Sequence, residues 1–142
     1  MKLTTNTAQN QRVDLNAGRN RIEIMQVTDV TDPGVPAHLP MEGAKNLVSF
    51  IAGATIQFTG RMTDSDGVTL PVDATFALPL AGELGSPPRI IDITFEAGVA
   101  IKTFSNLNSG RWCITEAEVN MDIEDPAQHF NFDGLTIKVR EA

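Results

Sequence analysis

The chain has few of the residue types that most often build catalytic and metal sites. Its 142 residues include one cysteine, two histidines, one tryptophan and no tyrosine. The single cysteine, Cys113, excludes an internal disulfide and a cysteine-rich metal site, and it fits folding in a reducing cell interior. We expect Cys113 to be a small buried hydrophobic residue. Because carbohydrate sites usually need exposed aromatic platforms, the scarcity of tyrosine and tryptophan also argues against sugar binding.

Basic side chains are in deficit as well, with 11 against 18 acidic ones and a formal net charge of −7. That balance disfavours attraction to phosphate backbones and anionic membranes, so we expect no nucleic acid and no membrane partner. No uninterrupted apolar run approaches membrane-spanning length. Residues 1–7 lack the apolar segment of a signal peptide. The sequence therefore predicts neither Sec-type export nor a membrane anchor.

Motifs of enzyme chemistry are missing too. The two histidines, His38 and His129, lack the spacing of a two-histidine metal motif, and no Gly-x-Ser-x-Gly nucleophile turn occurs. The glycines do not form a phosphate-binding loop. We therefore predict no enzymatic activity, no cofactor, and no catalytic, cofactor-binding or metal-binding residues.

Two acidic groups leave alternatives open. Asp64 and Asp66 beside Gly67 resemble part of a calcium loop, but Met62 stands where the first ligand of an EF-hand would be, which favours a solvated turn. The densest acidic stretch suits the solvated face of a strand, an acid and base pair in a cleft, or a divalent cation held at a subunit boundary. That stretch contains Glu116, Glu118, Asp122, Glu124 and Asp125.

What the sequence does have is apolar side chains at every second position. Residues 56–62 and 68–72 flank a turn-forming stretch and predict a hairpin, and residues 91–95 and 99–101 predict a second one. With 42% hydrophobic residues the chain can build one apolar core. We predict an all-β fold, an antiparallel β-sandwich or barrel-like single domain of roughly eight to ten strands.

Other segments refine this organisation. Residues 1–19 are polar and predict an N-terminal arm or edge strand, so that 20–142 form the β-sandwich domain. Prolines and glycines at 32–44 predict a surface loop. Residues 46–55 fit a short helix or a strand, and we favour the strand. Residues 111–123 predict a strand with a bulge, with a helical turn as the alternative because Thr115 and Glu118 match a capping box.

The C-terminal third carries a resemblance to a known group of proteins. The stretch Ser109-Gly110-Arg111-Trp112-Cys113-Ile114-Thr115 and the stretch Phe132-Asp133-Gly134-Leu135-Thr136-Ile137-Lys138-Val139 belong to an acidic, cysteine-poor β domain with a polar arm and Pro-rich loops. In these general features the chain resembles accessory virion proteins of tailed bacteriophages, which decorate capsids or complete the head and tail. The resemblance covers most of the chain and carries over no functional residue.

The resemblance implies a non-enzymatic structural protein that binds a repeating protein lattice, either the major capsid protein or another virion protein, and that forms symmetric homo-oligomers. Its place would be the virion, assembled in the host cytoplasm. The arm and the loop at 31–44 would order against neighbours. Two alternatives remain at this stage: a soluble ligand- or calcium-binding β-domain that uses the acidic stretch with His129, and an inhibitor encoded by a mobile element, with an acidic surface.

Overall fold

The computed structural model describes residues 2–6, 20–82, 87–126 and 129–142, and for 2–6 the backbone alone. Most of the predicted arm, residues 7–19, lies outside these ranges. The described residues form two β-sheets and one short helix, α1 (Glu116–Asn120). The predicted all-β, sandwich-like fold is confirmed, and the two sheets do not close into a barrel over the described ranges.

The larger sheet has eight strands within the described ranges, in the order β1-β6-β7-β8-β5-β2-β10, with β3 also beside β2. Its strands are β1 (Lys2–Asn6), β2 (Arg21–Asp29), β3 (Ala37–Leu39), β5 (Ile56–Thr63), β6 (Ala74–Leu80), β7 (Arg89–Glu96), β8 (Val99–Phe104) and β10 (Asn131–Phe132). The smaller sheet has the order β4-β11-β9. Its strands are β4 (Leu47–Ile51), β9 (Gly110–Ile114) and β11 (Leu135–Arg140).

Alternating side chains bury one face of each sheet against the other. In β6 every second residue from Ala74 to Leu80 is buried, and in β11 Leu135, Ile137 and Val139 are buried. Two edge-to-face ring pairs, Phe58 with Phe104 and Phe76 with Phe95, join neighbouring strands. Because each fully buried aliphatic or aromatic side chain contributes roughly 1.5–3 kcal/mol, this two-sided apolar layer is the main stabilising feature of the fold.

The chain passes from the larger sheet to the smaller one at Asp133-Gly134. Gly134 has a φ of +99°, a left-handed conformation that glycine adopts without strain. The side-chain amide of Asn46 donates a hydrogen bond of 2.8 Å to the Gly134 carbonyl. This turn allows β10 to pair with β2 in parallel, while β11 pairs in parallel with β4 and antiparallel with β9.

The predicted hairpin of 56–62 with 68–72 forms only next to its turn, where Asp64 N donates to Val68 O and Leu70 N donates to Met62 O. Residues 56–63 form β5, but from 68–72 the one ladder pair is Thr63 with Thr69. β8 pairs with β5 from Ile56 to Arg61, so only the end of β5 beyond Arg61 is left for 68–72 to pair with. The second predicted hairpin is confirmed as β7 and β8, joined by Ala97-Gly98.

The stretch 111–123 is also corrected. β9 ends at Ile114, and α1 replaces the predicted continuation of the strand. Both bonds of the capping box are present: Glu118 N donates to Thr115 Oγ1, and Thr115 N donates to a Glu118 carboxylate oxygen. The strand favoured at 46–55 is confirmed as β4, and the loop at 32–44 contains the short strand β3. No helix in the described part of the chain is long and apolar enough to cross a membrane.

Candidate interaction surface

One end of the outer face of β6 and β7 carries apolar side chains, where a solvated face would usually be polar. Pro79 of β6 lies opposite Ile90 of β7, and Ala77 lies opposite Asp92. Ile90 is 62% exposed, while its neighbour Ile91 points inward and is buried. Pro79 lies beyond the part of β6 that β1 covers, so its missing N–H breaks no bond with β1.

Helix α1 is fixed beside this face by bonds at both of its ends. A bridge between Ala81 and Cys113, with N–O distances of 3.0 and 2.9 Å, joins the end of β6 to β9 and brings the start of α1 close. At the other end, the buried Asn120 side chain donates to Phe130 O and accepts from Phe130 N, at 2.9 and 2.8 Å. Two buried side-chain bonds to one residue hold the helix in place.

Between α1 and the sheet lies a groove of about 550 Å³, the outer groove, on the surface of the protein. Its apolar lining includes Ala77, Pro79, Ile90 and Met121. Met121 is 64% exposed. Two large exposed apolar side chains, Ile90 and Met121, share this one groove, and we therefore take the outer groove as the candidate interaction surface.

Carboxylates lie along the α1 side of the outer groove. Glu118 and Asp122 line it, and no basic side chain is among its described lining residues. Glu118 is oriented by its bond with Thr115 N. The groove therefore combines aliphatic contacts with negative charge, which suits a partner that presents an apolar side chain beside a lysine or arginine.

The lone thiol is not activated. Burial, and secondly the negative charge of Glu118, raise the pKa of the Cys113 thiol above its usual value. Because the thiolate is the reactive form, a raised pKa keeps Cys113 protonated at neutral pH. The expectation that it is a small buried hydrophobic residue is only partly met, since Cys113 is half-buried.

The two histidines lie in separate structural settings. The exposed ring of His38, on β3, contacts the side chains of Gln26 and Thr28 on β2. The half-buried His129 ring is 2.7 Å from the Ile123 carbonyl through Nε2, which must donate because a carbonyl oxygen accepts. Residues 127–128, directly before His129, lie outside the described residues.

Two of the acidic side chains singled out from the sequence, besides Glu118, accept hydrogen bonds from backbone N–H groups. Oδ1 of Asp64 accepts bonds from the N–H groups of Asp66 and Val68 and so closes the turn. Oε1 of Glu116 accepts from Phe132 N at 3.0 Å, which ties α1 to β10. Over the described residues, no three histidine, cysteine, aspartate or glutamate side chains are grouped closely enough to hold a metal ion.

Comparison of the chain with family models, with curated proteins and with solved structures finds no match. The residues of the outer groove were not singled out from the sequence. One signal was present: Ile90 and Ile91 are adjacent, and in a strand two adjacent side chains point to opposite faces. One of the two isoleucines therefore had to be on the outer face.

Proposed function

We propose that this protein is a non-enzymatic structural component of a bacteriophage virion, and that it binds a repeating protein lattice through the outer groove. The observation that carries the proposal is the exposure of Ile90 and Met121 on either side of one groove, 62% and 64% respectively. Large aliphatic side chains exposed on a rigid sheet and an anchored helix favour contact with another protein.

The scaffold supports this role. The sheet pairing holds Pro79 and Ile90 at fixed positions, and the bonds of Thr115 and Asn120 fix Met121 through α1. A preformed surface loses little conformational entropy on binding, which favours repeated docking on many identical sites. The carboxylates of Glu118 and Asp122 would select lattice subunits that present basic side chains.

A second contact is proposed for the N-terminal arm. The backbone of β1 pairs with β6 at an edge of the larger sheet. An edge strand offers unpaired N–H and C=O groups to another chain, so β1 can extend the sheet into a neighbouring subunit. We propose that copies of this chain associate into a symmetric homo-oligomer on the lattice in this way.

The location of the protein tests the proposal. After phage induction of cells that encode this chain, an antibody against it should detect the protein in the density-gradient band that contains DNA-filled particles. A soluble host enzyme followed in the same gradient is the control and should stay at the top. Detection of the chain only with that enzyme, while particles band below, would overturn the proposal.

A further inference from the structure

Strands β7 and β8 separate soon after the turn that joins them. They are neighbours in the larger sheet, yet the ladder between them has two pairs, Phe95 with Ala100 and Glu96 with Val99. β7 remains paired with β6 as far as Arg89, and β8 remains paired with β5 as far as Phe104. A slot therefore opens in the sheet between 91–94 of β7 and 101–104 of β8.

Beneath this slot lies an apolar cavity of about 70 Å³ between the two sheets. Ile91 and Ile93 of β7 line it, and Leu135 and Ile137 of the smaller sheet lie on its other side. A dry cavity of roughly 150 Å³ accepts benzene, so one of this size has room for about three or four carbon atoms. The lining favours an aliphatic group over water, because water needs polar partners.

Lys102 stands where the pattern of β8 calls for an apolar residue. Ala100 and Phe104, two positions to either side, are buried on the inner face, and Lys102 shares that face and lines the cavity. It is the one charged side chain among the described lining residues, and it is half-buried. The one ion pair among described residues joins Arg61 and Glu23, so Lys102 has no carboxylate partner there.

A ligand that carries a carboxylate would complement a lysine in this position. The methylene stem of Lys102 can lie along the apolar lining while its ammonium group reaches the slot. No carboxylate of the described residues lies within 4.0 Å of this ammonium group, and a bound carboxylate would form a charge-assisted hydrogen bond with it. In that conformation Lys102 would place a cation at the mouth of the slot, with the aliphatic space of the cavity behind it.

We propose that the slot between β7 and β8 binds a short aliphatic carboxylate, with its carboxylate on the Lys102 ammonium group and its tail in the cavity. The volume limits the tail to about three or four carbons, the size of butyrate or pentanoate. This site lies on the inner face of the sheet, and the proposal is independent of the outer groove and of the proposed function.

Titration with butyrate, followed by amide chemical shifts in the ¹⁵N-labelled protein, tests the proposal. Saturable shifts are expected at Ile93, Ala100 and Lys102, with acetate weaker than butyrate because its tail is shorter. Octanoate should bind no more tightly than pentanoate, since the cavity is already filled. Absence of saturation, or shifts confined to other surfaces, would overturn the proposal.

Two variants separate the charge from the cavity. Lys102→Met keeps the stem and removes the ammonium group, and it should weaken butyrate binding by about tenfold while leaving binding of 1-butanol unchanged. Ala100→Leu should fill the cavity and weaken both ligands, and its amide spectrum shows whether the fold is retained. Equal butyrate affinity in Lys102→Met and in the unmodified protein would contradict the assignment of Lys102, whatever Ala100→Leu does.

Discussion

Replacement of Gly98 by alanine is expected to lower the free energy of unfolding by about 4 kcal/mol, through backbone strain and steric overlap together. Gly98 has a φ of +83°, and a Cβ built on it would lie 2.0 Å from the carbonyl oxygen of Leu70 and 2.7 Å from a methyl carbon of Thr69. The turn cannot move away easily, because Gly98 N bonds to Val72 O and Met62 N bonds to Gly98 O, at 2.9 and 2.8 Å. Chemical denaturation followed by Trp112 fluorescence measures the loss.

Gly67 provides the matched control. It has the same φ of +83°, but no atom lies within 4 Å of a Cβ built on it. Gly67→Ala should therefore cost about 1 kcal/mol, from backbone strain alone. Equal losses in the two variants would mean that the Ala97-Gly98 turn is not packed against Leu70, and that the position assigned to the β7–β8 hairpin is wrong.

Replacement of Ile137 by alanine should cost about 3–4 kcal/mol, the usual range for truncation of a buried isoleucine that leaves a cavity. Ile137 is 0% exposed. It pairs with Val48 of β4 on one side and with Trp112 of β9 on the other, and it borders the cavity between the sheets. The same denaturation experiment measures the change.

Ile101 is the control for the same substitution on an exposed face. It is 60% exposed on β8, so Ile101→Ala should change the free energy of unfolding by no more than about 0.5 kcal/mol. If Ile101→Ala destabilised the protein as much as Ile137→Ala, the assignment of inner and outer faces in the two sheets would fail.

The fold class could be predicted because period-two patterning reflects burial directly. The alternation in β6 and β11 follows from one face of each strand lying against the opposite sheet. The Ala97-Gly98 turn was predictable for a local reason: both residues have positive φ, as a tight two-residue hairpin turn requires. Such features are set by residues adjacent in the chain.

The helix was predicted only as the alternative to a strand, because its apolar residues fit two periods. Val119 and Met121 continue the alternation of β9, whereas Thr115 and Glu118 form a capping box. The two capping bonds and the two bonds between Asn120 and Phe130 stabilise the helix rather than a strand. The bonds between Asn120 and Phe130 join residues ten positions apart, so a local sequence pattern does not reveal them. Met121, the C-cap residue of this helix, lies in the outer groove.

The slot between β7 and β8 could not be predicted from the sequence either. A tight turn between two alternating segments indicates a hairpin, but it does not tell how far the ladder extends. Here β7 stays paired with β6 along its length, and β8 stays paired with β5. The two hairpin strands β7 and β8 therefore diverge from each other. The apolar alternation of Val99 and Ile101 puts Lys102 in the polar phase of the strand, and its place at a cavity depends on tertiary structure.

Co-sedimentation with particles that lack this protein tests the central claim, that the outer groove is the contact surface. The unmodified chain should pellet with particles purified from a strain in which its gene is deleted. Ile90→Asp places a third carboxylate in the groove and should weaken association by at least about thirtyfold, the effect of losing an interface hot spot. Val68→Asp, at a position that is 61% exposed and outside both the groove lining and the loop at 31–44, should pellet as the unmodified chain does. Equal pelleting of Ile90→Asp and the unmodified chain would contradict the claim.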